Sequence, residues 1–73
     1  MNIAKIRETI EENKGKSIKF RFNGSRNQIE EFTAVIENAY NYVFIVRLQE
    51  NNEQLKSFTY SDILTQSLQI FME

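Results

Sequence analysis

The sequence predicts a mainly β domain in which one N-terminal α-helix precedes a small, strongly bent five-stranded barrel. Three observations predict it. Isoleucines recur at helical spacing near the start, at Ile3, Ile6 and Ile10. From Ser17 onward apolar residues fall on alternate positions, which is strand periodicity. Asn-rich and Gly-containing stretches then divide the remainder into short segments. At 73 residues the chain fits one domain over 1–73, with 1–15 as the helical part and 16–73 as the barrel.

Asn2 is placed to cap the first helix, whose apolar line Ile3, Ile6 and Ile10 is narrow and whose other faces carry Lys5, Arg7, Glu8, Glu11, Glu12 and Lys14. Gly15 ends it, because glycine tolerates the left-handed conformation that closes a helix. Strand one runs from Ser17 to Asn23, with Ile18, Phe20 and Phe22 on one side and Ser17, Lys19 and Arg21 on the other. Asn23-Gly24 turns the chain into strand two, about Gln28 to Glu37, which points Phe32, Ala34 and Ile36 inward. Asn38-Ala39-Tyr40-Asn41 supplies the next reversal. The third strand, Tyr42 to Leu48, is apolar on both faces, so both need cover, one from the barrel interior and the other from the helix or a second subunit. After a polar connection around Asn51-Asn52, Leu55 to Tyr60 forms strand four, Ser61 caps a single turn through Leu64, and Leu68, Ile70 and Met72 alternate along strand five. Ile18, Phe20, Phe22, Phe32, Ile36, Val43, Ile45, Phe58 and Ile70 are the expected core.

Composition narrows the chemistry. Cysteine and histidine are absent, which removes thiolate nucleophiles, disulfides, the usual general base near neutral pH and the commonest metal ligand. No glycine-rich phosphate loop and no spaced carboxylate pair stands in their place, so the expectation is no enzyme, no catalytic residue, no metal and no cofactor. The longest apolar run, Val43 to Val46, is too short to span a bilayer, and Met1 to Lys5 leads into a charged amphipathic segment rather than a signal peptide, so a cytoplasmic protein is expected. Nine basic against ten acidic side chains give a net charge of −1, which argues against wholesale polyanion binding.

Several short runs carry a family resemblance. Phe58-Thr59-Tyr60-Ser61-Asp62-Ile63-Leu64-Thr65 joins an aromatic strand to a capped turn, Gly15-Lys16 precedes the first strand, and Asn23-Gly24-Ser25-Arg26 follows it. With these runs the chain resembles the small Veg proteins of Gram-positive bacteria over nearly its whole length. The resemblance implies a regulatory protein that stimulates biofilm formation through effects on a transcriptional regulator, with Tyr60, Ser61 and Asp62 as signature residues. The element order is also similar to Sm-like and SH3-like barrels. Gly15-Lys16, Asn23-Gly24, and Glu37 followed by Tyr40-Asn41 match parts of the first Sm motif, while Thr59-Tyr60-Ser61 stands where the second would place Ile-Arg-Gly. The likeness is therefore one of architecture.

Three groups of residues are candidate sites. No acidic residue lies between Glu12 and Glu30, whereas Lys14, Lys16, Lys19, Arg21 and Arg26 fall in that interval; they form the expected contact for a protein partner or, alternatively, for nucleic acid bound by an accessory protein. The competing reading is a solvated strand face whose lysines discourage edge pairing. Tyr40 and Tyr42 flank a turn and are candidate interface anchors. Tyr60, Ser61 and Asp62 read as turn chemistry: Ser61 and Asp62 satisfy free amides and Tyr60 packs on the barrel rim. Glu30 with Glu31, and Glu50 with Glu53, read as solvated surface, since neighbours in a strand point to opposite faces and the loop lacks a calcium-ligand series. The two-sided third strand predicts a weak or moderate homodimer.

Overall fold

In a computed structural model that describes residues 2–24, 28–49 and 54–71, the first helix begins where the sequence provides a cap. The Asn2 side chain accepts the Lys5 amide at 2.9 Å, so α1 (Ile3–Glu12) starts with one of its free amides satisfied. Asn13 closes the helix, its side-chain amide donating to the Thr9 carbonyl at 2.7 Å. Gly15 follows at φ 85°, in the left-handed region expected of it. Its amide donates to the Ile36 carbonyl at 2.8 Å, which ties the end of the helix to the sheet.

Among the described residues five strands follow: β1 (Ser17–Asn23), β2 (Ile29–Ala39), β3 (Val43–Leu48), β4 (Leu55–Thr59) and, after the short helix α2 (Tyr60–Leu64), β5 (Leu68–Phe71). They form one antiparallel sheet in the order β4-β3-β2-β1-β5. The sheet is sharply curled. Phe22 on β1 and Phe58 on β4 have ring centroids 5.5 Å apart, although strands three places apart in a flat sheet lie roughly 14 Å from each other. A register shift between Ile36 and Asn38 in β2 contributes to the bend, since an extra residue on one strand increases local twist.

The inner face buries Ile18, Phe20, Ala34, Ile36, Phe44, Val46, Leu48, Phe58 and Leu68, and Ile6, Ile10 and Tyr60 complete the core. Phe20 is at its centre, stacked on Phe32 at 5.5 Å and facing Phe44 at 6.5 Å. Truncating it to alanine is expected to destabilise the fold by about 3–5 kcal/mol.

Several boundaries and faces differ from expectation. Val43 and Ile45, expected in the core, are half-buried, and Phe44, Val46 and Leu48 point inward instead. The run Val43-Phe44-Ile45-Val46 is apolar in both phases, so periodicity cannot choose between them; the pairing of Phe44 with Phe58 does, by bringing Phe44 into the aromatic cluster. On β5, Leu68 is fully buried and Ile70 partly so. Strand β2 continues to Ala39, which leaves Tyr40-Asn41-Tyr42 as the turn, closed by the Tyr40 amide donating to the Val43 carbonyl at 2.8 Å. Helix α1 packs against α2 and β2. The Asn51-Asn52 connection, Glu50, Glu53, Met72, Ser25 and Arg26 lie outside the described residues.

Candidate functional site

The signature between β4 and β5 folds by reciprocal capping. Thr59 is the N-cap of α2: its hydroxyl accepts the Asp62 amide at 3.1 Å, and the Asp62 carboxylate accepts the Thr59 amide at 3.2 Å. This corrects the placement of the cap at Ser61, which is exposed within the first turn and accepts the Thr65 amide at 2.9 Å through its carbonyl. Hydroxyls at Thr59 and Ser61 both suit a cap, but only Thr59 has a carboxylate three residues on. Tyr60, expected on the rim, is fully buried, stacks on Phe44 at 5.6 Å and donates its hydroxyl to the Tyr40 carbonyl at 2.5 Å. Burial pushes the phenol above its ordinary value, with the Glu11 charge adding to the effect and Arg7 opposing it. The phenol thus stays a neutral donor at physiological pH. It staples α2 to the turn between β2 and β3.

That turn presents an aromatic surface. Tyr42 is 80 % exposed and Tyr40 is 51 % exposed. The Tyr42 carbonyl accepts the Tyr60 amide at 3.4 Å, so both ends of the turn are held by the same residue. Ile3, Tyr42, Thr59, Tyr60 and Ser61 surround an open, mainly apolar hollow of about 490 Å³.

The second surface lies on the outer side of β1. Lys19 and Arg21 alternate toward solvent as expected, and Lys14 and Lys16 are exposed in the approach to the strand. Arg26 lies outside the described residues. The interval is free of acid in sequence but not in space: β2 pairs Glu31 with Arg21, and its carboxylate sits 3.4 Å from Lys19 Nζ and 3.6 Å from Arg21. Lys19, and then Arg21, hold the Glu31 carboxyl below its ordinary range. Glu30 faces the other way and pairs with Lys56 at 3.4 Å, in keeping with opposite faces for strand neighbours.

An aromatic residue belongs to this basic face that the local sequence did not nominate. Strand β5 sets Phe71 opposite Lys19, and the Arg21 guanidinium lies 5.4 Å from the Phe71 ring centroid. Its outward direction follows from the alternation that buries Leu68; its place beside β1 depends on a pairing of distant segments. Asn13, Lys16, Ser17, Ile18, Lys19, Thr33 and Phe71 line an open groove of about 360 Å³.

Among the described residues no cluster of three or more His, Cys, Asp or Glu side chains is arranged to hold a metal ion. No helix among them is long and apolar enough to cross a membrane. The model of the family described as biofilm formation stimulator VEG matches residues 1–71 of the 73-residue chain. Among curated proteins, no sequence matches. The match takes in the Gly15-Lys16 turn, every strand and the capped turn at Thr59. The chain belongs to the VEG family of biofilm formation stimulators.

Proposed function

We propose that the chain stimulates biofilm formation as a non-enzymatic adaptor in the cytoplasm, binding a protein that controls transcription through the surface formed by Tyr42 and Tyr40. The observation that carries this reading is the 80 % exposure of Tyr42 at the edge of an apolar hollow. Exposed tyrosines beside apolar hollows are effective anchors, because the ring fills a partner's pocket while the hydroxyl stays hydrated. The turn is also fixed in advance by Tyr60, so little conformational freedom remains to be lost on binding.

The test is genetic and physical together. In a strain lacking the gene, the chain carrying Tyr42→Ser is expected to fold normally, since exposed substitutions typically shift stability by about 0.5 kcal/mol or less. It is expected to leave biofilm formation unrestored. Full restoration by Tyr42→Ser, at normal protein abundance, overturns the assignment of the surface.

A further inference from the structure

We propose that the groove along β1 and β5 is a track for single-stranded nucleic acid, with Glu31 occupying the place of a phosphate until a strand arrives. This lies on a face other than the Tyr42 surface and does not rest on it. The groove combines the two elements such a ligand needs. Lys16 and Lys19 line it as cations, and Phe71 on the outermost strand β5, 43 % exposed, supplies an aromatic surface beside them. Phosphates pair with the former, and a base of any identity stacks on the latter. Among the described residues no acidic side chain lines the groove.

Glu31 is what keeps this face modest in the free protein. One carboxylate shared by Lys19 and Arg21, at 3.4 and 3.6 Å, does for these two cations what a bridging phosphate does. The pairs are exposed and loosely held, so an incoming phosphate can exchange with them at small loss. An acidic peptide satisfies the same cations but has no use for an exposed ring, and Phe71 therefore favours nucleic acid.

Fluorescence anisotropy with labelled oligo(U) and oligo(dT) decamers, and with labelled poly-L-glutamate of matched charge, tests this at 50 mM salt. At least one oligonucleotide is expected to bind more tightly than poly-L-glutamate; the better of the two identifies the natural source as RNA or DNA. Its affinity is expected to fall with salt at a log–log slope of about −2 if Lys16, Lys19 and Arg21 each meet one phosphate. Phe71→Ala is expected to weaken oligonucleotide binding about tenfold and to leave poly-L-glutamate unaffected. Phe71→Leu, which retains apolar bulk without the ring, is expected to do the same and guards against a folding defect. Glu31→Gln is expected to tighten binding several-fold, whereas Glu30→Gln, on the opposite face, leaves it unchanged. Tyr42→Ser is expected to have no effect, which separates this surface from the adaptor surface. The proposal is overturned if neither wild type nor Glu31→Gln binds either oligonucleotide. It is also overturned if poly-L-glutamate binds as well and the Phe71 variants change nothing, because the face is then one for acidic protein.

Discussion

The capped turn at Thr59–Asp62 and the basic face of β1 are both rich in polar and aromatic side chains, yet they use them in opposite ways. Around the turn the side chains satisfy the chain itself. Thr59 and Asp62 cap each other's amides, and Tyr60 spends its hydroxyl on the Tyr40 carbonyl from a fully buried position. On β1 the partners are exposed and exchangeable, because Lys19, Arg21 and Glu31 meet at ion-pair distances while open to water. A conspicuous sequence run therefore marks the part of the molecule that sets shape. The exposed aromatic side chains belong to plainer residues that this shape presents, among them Tyr42 and Phe71.

Changing Tyr60 breaks the comparison most severely. Tyr60→Ala removes a buried ring from the aromatic cluster and is expected to destabilise the protein by about 3–5 kcal/mol, measured by chemical denaturation. Tyr60→Phe keeps the ring and removes only the hydrogen bond, for an expected loss of about 1 kcal/mol. The raised Tyr60 pKa gives this pair a pH signature. A group whose folded pKa lies above its unfolded value stabilises the fold fully below the unfolded value, ordinarily 10.0, and loses that contribution as pH rises through the folded value. Wild type is thus expected to lose stability at alkaline pH above 10.0, and Tyr60→Phe is expected to lack that component of the loss.

Smaller effects sharpen the contrast. Thr59→Ala removes one half of the capping box and is expected to lower stability by about 1 kcal/mol. Glu31→Gln is expected to have the least effect on denaturation, because its partners are solvent-exposed and screened by salt. The Glu31 pKa is lowered on folding, so its pairing contributes above the ordinary carboxylate value and is lost as pH falls through the lowered one. An acid titration of wild type against Glu31→Gln at low salt reads this as a small stability advantage of wild type that is present above the ordinary value and disappears as pH falls through the lowered one. A large loss of stability in Glu31→Gln at neutral pH contradicts the description of the basic face as exchangeable.

Much of the architecture was legible because periodicity is a local property. Asn2 capped α1, Gly15 took the left-handed conformation, and Phe20 and Ile36 fell on the buried side of their strands. Legibility failed where two phases were equally apolar or where distance in sequence hid proximity in space. Val43-Phe44-Ile45-Val46 is of the first kind. The basic interval is of the second, since Glu31 reaches Lys19 and Arg21 through strand pairing and Phe71 arrives on the last strand. The error at Ser61 had a local remedy: Thr59 with Asp62 three residues later is the capping-box spacing, and it outranks an isolated serine.

The most direct test of the division between shape and contact is a paired measurement on Tyr60→Phe and Tyr42→Ser, in which each variant's denaturation midpoint and its restoration of biofilm in a strain lacking the gene are read side by side. Tyr60→Phe is expected to lower the midpoint and still restore biofilm. Tyr42→Ser is expected to keep the wild-type midpoint and fail to restore it. Biofilm restored by Tyr42→Ser and lost with Tyr60→Phe, at equal abundance of the two proteins, would place contact in the signature turn and contradict the division.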